Sequence, residues 1–131
     1  MMVARVFILL ITVGLLTGCM APQPALTPKG DVSHVILVRL YTNDAPSREK
    51  LIATSKSFVG KIPGLLLVTA GQPLPSNRPF VQSDFDLGIY MLFDSPASLA
   101  NYNSHPLHKQ AVQDILKPLA KEVRVYDFTH E

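Results

Sequence analysis

The chain has no tryptophan and a single cysteine in 131 residues. One cysteine excludes an intramolecular disulfide framework and a cysteine-built zinc site. Charge is sparse: Asp, Glu, Lys and Arg make up 17% of the residues, with 12 basic side chains against 10 acidic ones. One of the 12, Arg5, lies in an N-terminal leader, and without it the balance is 11 to 10. That leaves no basic field to hold nucleic acid. No apolar run reaches the roughly 20 residues a membrane-spanning helix needs. Apolar residues, by contrast, make up 47% of the chain, which places it among folding domains and not disordered chains. Without a leader of 18 residues, 113 remain, enough for one small domain.

Met1 to Arg5 forms a short basic n-region, and Val6 to Leu16 an apolar run broken only by Thr12 and Gly14. The pattern fits a secretory signal peptide over residues 1–18. It ends in Leu16-Thr17-Gly18-Cys19, which resembles a lipobox: a leucine, two small residues, then the cysteine whose thiol takes a diacylglyceryl group. Cys19 is therefore expected to be a lipid anchor, neither catalytic nor redox-active, and more than one acyl chain gives stable membrane attachment. Residue 20 is methionine and not aspartate. By resemblance to Gram-negative lipoproteins, this implies an outer-membrane location facing the periplasm. Residues 19–31 carry Pro22, Pro24, Pro28 and Gly30 with no periodicity and are expected to form a tether. The folded domain is expected over residues 32–129.

Ser33 to Tyr41 is β-branched and aromatic, with His34, Ile36, Val38 and Leu40 on one face. The other face carries Val35, Leu37, Arg39 and Tyr41, so both faces are largely apolar and both need cover. A helix follows from Pro46 to Ile62, through Leu51, Ser55 and Phe58. Pro63-Gly64 stops it. Leu65 to Ala70 is a second strand. Gln72 to Ser83, with Pro73, Pro75 and Pro79, is a loop. Phe85 to Phe93 alternates as a third strand. Pro96 opens a helix to about Ser104. Pro106 restarts a second stretch through Leu107, Ala111, Ile115 and Leu119. Val123 to Phe128 is the last strand. The order β-α-β-β-α-β is the ferredoxin-like α+β arrangement, with helices on one sheet face. The other face would leave a sheet-sized apolar surface in water, which implies a homodimer through the open face.

Four stretches carry a specific likeness: His34-Val35-Ile36-Leu37, Ile62-Pro63-Gly64, Tyr102-Asn103-Ser104-His105-Pro106-Leu107-His108 and Val125-Tyr126-Asp127-Phe128. In this order the chain resembles the stress-responsive A/B barrel family, the dimeric α+β barrel or Dabb proteins, over about Val32 to Thr129. The resemblance implies that two sheets pair face to face into a dimeric barrel. In the plant polyketide cyclase of this family, the tyrosine and second histidine of the Y-x-x-H-P-x-H signature act on substrate inside each protomer's cavity. Carried over, these are Tyr102 and His108, and the cavity-lining histidine of the first strand is His34. A third-strand position where some members hold histidine falls on Leu87. The pocket lining expected on this basis is His34, Ile36, Val38, Leu87, Ile89, Met91, His105 and Asp127.

Tyr102 and His108 suit enolisation or aldol chemistry on a small carbonyl compound, the phenol polarising the carbonyl and neutral imidazole taking an α-proton. A packed tyrosine and a helix-capping histidine fit the same residues. His105 before Pro106 is expected to be an N-cap or hinge. His105 and His108 have no local acidic or cysteine ligand beside them, so no metal and no cofactor is expected. His34 is either a core histidine or a pocket residue. Asp127 either orients a histidine or bonds backbone at the strand edge, and the second is the expectation. His130 is expected to lie in a disordered end. Two functions remain open: an envelope-anchored, stress-related small-molecule-binding module, and a lyase or cyclase acting on a small carbonyl compound.

Overall fold

The computed structural model describes residues 28–131; the expected leader (1–18), Cys19 and the tether up to residue 27 lie outside the described residues. In chain order the elements are β1 (Val32–Leu40), α1 (Ala45–Lys56), β2 (Leu65–Gly71), β3 (Leu87–Phe93), α2 (Pro96–Ser104), α3 (Pro106–Ala111), a π-helical turn (Val112–Leu116), α4 (Lys117–Leu119) and β4 (Ala120–Thr129). The four strands form one antiparallel sheet in the order β2-β3-β1-β4. This is the ferredoxin-like α+β arrangement, with the helices packed on one face.

Period-two alternation decides which side chains meet the helices. His34, Ile36, Val38 and Leu40 of β1 and Leu87, Ile89, Met91 and Phe93 of β3 are buried on the covered face. They form one core with Leu51, Phe58, Ile62, Leu99 and Tyr102. Full burial of each large apolar side chain stabilises the fold by about 1.5–3 kcal/mol. The opposite face carries Val35, Leu37, Tyr90, Tyr126 and Phe128, half-buried or exposed.

Local chemistry sets the element ends. Asp44 caps α1 by accepting the Ser47 amide at 2.8 Å, and Ser95 caps α2 by accepting the Ser98 amide at 3.2 Å. Helix α1 stops at Lys56, before the expected Ile62. Turns take over there, and they still deliver Phe58 and Ile62 to the core. Gly64 ends this segment with φ of 80°, and a side chain there would strike Ser98 and Asp94. Asp86 ties the long loop to β1: its amide donates to Val38 O at 2.8 Å and its carboxylate accepts the Leu40 amide at 2.8 Å. The third strand consequently starts at Leu87 and not at Phe85. The last strand is longer than its apolar core, beginning at Ala120.

His130 is ordered by contacts, contrary to the expectation of a disordered end. Its Nδ1–H donates to Gly30 O at 2.7 Å, its Nε2 accepts from the Ser33 hydroxyl at 2.8 Å, and the Tyr90 hydroxyl lies 3.0 Å from the same Ser33 oxygen. The entering chain and the C-terminal end are thus clasped together over one end of the open face.

Candidate functional site

Between the sheet and the helices lies a cavity of about 410 Å³. Its walls are mostly apolar. Ile36, Ile89 and Met91 rise from the sheet, Leu51 and Phe58 come from α1 and its following turn, and Ile115 and Leu116 come from the π-helical turn. Its polar groups are His34, Tyr102, Asn103, His108 and Asp127, with Thr54 and Ser55 of α1.

Strand pairing creates the first polar pair. His34 and Asp127 are direct cross-strand partners in the β1–β4 ladder. The His34 Nδ1–H donates to Asp127 Oδ1 at 2.5 Å, with the histidine buried and the carboxylate half-exposed. Asp127 therefore orients a histidine, and the strand-edge backbone role expected for it is corrected. Committing Nδ1–H to the carboxylate leaves Nε2 as the ring nitrogen with a lone pair.

The second pair depends on the proline break. Helix α2 ends at Ser104, and His105 bridges to α3 with extended backbone while its Nδ1 accepts the Leu107 amide at 3.2 Å. This bend folds His108 back onto Tyr102, with ring centroids 4.1 Å apart and planes at 34°. Tyr102 is only 2% exposed and also packs on His34, Phe58 and Phe93. Its burial raises the phenol's pKa well above the ordinary tyrosine range, so it is a neutral hydroxyl donor. Nδ1 of His108 lies 3.4 Å from the Asn103 carbonyl. Burial is the main cause lowering the His108 pKa; the Asn103 carbonyl works the other way, and the charges of His34 and His105 add to the lowering.

Of the residues expected around a pocket, His34, Ile36, Ile89, Met91, Tyr102, His108 and Asp127 line the one cavity. Three do not. Val38 and Leu87 lie on the correct sheet face but are fully buried further along their strands, where the core closes. His105 spends its side chain as the N-cap of α3. Missing from the expected lining were Asn103, Val123, Val125 and the helical wall; Val123 and Val125 were signalled by sharing a strand face with Asp127. Among the described residues no group of three His, Cys, Asp or Glu side chains is placed to hold a metal ion.

The described fold is similar to several solved structures. A Dabb family protein with a ferredoxin-like fold from Mesorhizobium loti aligns with a TM-score of 0.63 at 20% identity, covering 79% of this chain and 99% of that one. A dimeric ferredoxin-like protein of unknown function from Thermobifida fusca gives 0.62 at 21% identity, over 83% and 100% of the two chains. Hydroxynitrile lyase from Passiflora edulis gives 0.65 at 18% identity, over 79% and 96%. At these identities the likeness is one of fold. No curated protein matches the chain. Residues 32–130 match the stress responsive A/B barrel domain, most of the chain and all of its sheet, and the chain belongs to that family.

Proposed function

We propose that the chain binds a small carbonyl compound in this cavity and moves a proton on it, in the manner of a lyase or cyclase. The observation that carries the reading is the gathering of Tyr102, His108 and the His34–Asp127 pair on one otherwise apolar cavity. The neutral Tyr102 hydroxyl donates a hydrogen bond to the substrate carbonyl. His108 takes the α-proton on Nε2, the C–H electron pair moves into the enolate, and the phenol steadies the developing oxyanion. A depressed pKa keeps His108 neutral, hence a competent base, at neutral pH. The imidazolium Nε2–H of His108 then returns the proton to carbon, and the Nε2 lone pair of His34, held by Asp127, orients the ligand by accepting a hydrogen bond from it. A second reading is a stress-related module that binds without turnover, supported by the direct stacking of Tyr102 on His108, a contact that a packing pair also makes.

Exchange of α-protons for deuterium in small ketones and aldehydes, followed by NMR, tests the proposal. Exchange above the buffer rate that falls by about a hundredfold or more in His108→Ala is the expected result. Binding without exchange would leave the module reading, and neither would contradict both.

The same proposal has the domain at a bacterial envelope, lipidated on Cys19: Cys19→Ser should abolish labelling by a palmitate analogue and release the protein from membranes. It also makes the chain a homodimer through the open sheet face, supported by the apolar residues there and by the dimeric Thermobifida fusca neighbour.

A further inference from the structure

Pro106 to Leu119 is one helical stretch interrupted by a π-helical turn. An unbroken α-helix would set the Lys117 amide on the Gln113 carbonyl and the residue 118 amide on that of Asp114. Residue 118 is proline, which has no N–H and whose ring crowds the carbonyl four residues back. The Lys117 amide instead reaches back five residues, to Val112 O. Such a turn accommodates one residue more than an α-helical turn, and π-turns concentrate at functional sites.

The extra residue falls at the cavity. Ala111, Val112, Ile115 and Leu116 all line it, and each is only partly buried because the space in front of it is open. Both flanks are anchored. His108 stacks on Tyr102 before the turn, and the Leu119 carbonyl accepts the Tyr41 amide at 3.0 Å after it. Removing one residue from between these anchors is compatible with both only if the turn tightens to α-helical spacing, which draws the wall inward.

Resting on the carbonyl-binding reading above, we propose that the turn Val112–Leu116 is the specificity wall of the site. It widens the cavity so that a ligand with its carbonyl at Tyr102 and His108 can lay an apolar chain or ring along Val112, Ile115 and Leu116. The facing wall of Ile36, Leu51 and Met91 is equally apolar, so the favoured ligand is a ketone or aldehyde with an extended hydrocarbon body.

The test is deletion of Gln113, an exposed residue inside the turn, with Pro118→Ala as a second variant that restores the missing amide. Binding is measured by NMR titration for methyl ketones from butanone to undecanone and for the matching secondary alcohols. The expected result is that the longest ketones bound by the parent lose affinity by at least tenfold in the deletion variant, while the shortest change by less than about twofold. Pro118→Ala should shift the cut-off the same way, and it decides the matter if the deletion variant does not fold. An unchanged length cut-off in a folded variant overturns the proposal. If alcohols bind as well as ketones, the carbonyl reading fails, while the cut-off still decides the role of the wall. If the parent binds no member of either series, both fail.

Discussion

The two faces of the sheet are built from the same four strands and yet hold different chemistry. On the covered face, Val38, Leu87, Met91 and Phe93 are almost wholly buried, and a cavity opens where His34 and Asp127 meet near Tyr102 and His108. On the open face, Val35 and Leu37 are half-buried while Tyr126 and Phe128 are 52% exposed. A protein of this size rarely leaves so much contiguous apolar surface in water. The difference separates the two faces by a single residue of register: one side chain of each neighbouring pair serves the core and the cavity, and the next one faces the proposed dimer contact.

Charge distinguishes the two faces most strongly. Val38→Glu buries an unpaired carboxylate in the core and should destabilise the fold by about 3–5 kcal/mol, read by chemical denaturation. Leu37→Glu, one residue away, should leave the fold intact and weaken dimerisation by about 2 kcal/mol or more, roughly thirtyfold, read by sedimentation. A Val38→Glu protein as stable as the parent, or an unfolded Leu37→Glu protein, would reverse the assignment of faces.

Subtler changes act on the polar groups of the cavity. Asp127→Asn keeps the shape of the cross-strand pair but removes the charge that orients His34. Deuterium exchange into a bound ketone should fall by about tenfold to a hundredfold, while stability changes by less than about 1 kcal/mol because the carboxylate is half-exposed. The smallest expected effect is one of pH. The folded-state pKa of His108 lies below its ordinary value of 6.5. As pH falls through that ordinary value, the unfolded chain takes the proton first, so this contribution is complete above it and declines below it. Thermal unfolding of the parent and of His108→Gln across this range should show a shallower acid decline in the variant.

Much of this division was legible in the sequence because period-two alternation reveals faces. Strands β1 and β3 declared theirs through His34-Ile36-Val38 and Leu87-Ile89-Met91. Alternation does not reveal depth along a strand, which is why Val38 and Leu87 were expected at the cavity and lie in closed core instead. Nor does it reveal register, and the His34–Asp127 pair exists only because β1 and β4 align those two residues. The helical pattern through Leu107, Ala111, Ile115 and Leu119 is the same for an α-helix and for one holding a π-turn; Pro118 was the only local sign. The apolar spacing of Phe58 and Ile62 continued past the real end of α1 because turns met the same core.

If the open face serves association alone, the cavity is complete within one protomer. Leu37→Glu tests this most directly, by measuring α-proton exchange of a methyl ketone on the variant after native mass spectrometry has established that it is monomeric. Exchange per protomer within about twofold of the parent is the predicted result, because the Leu37 side chain points to the sheet face opposite the cavity. A folded monomer that has lost exchange would contradict this, since the second copy would then be part of the site.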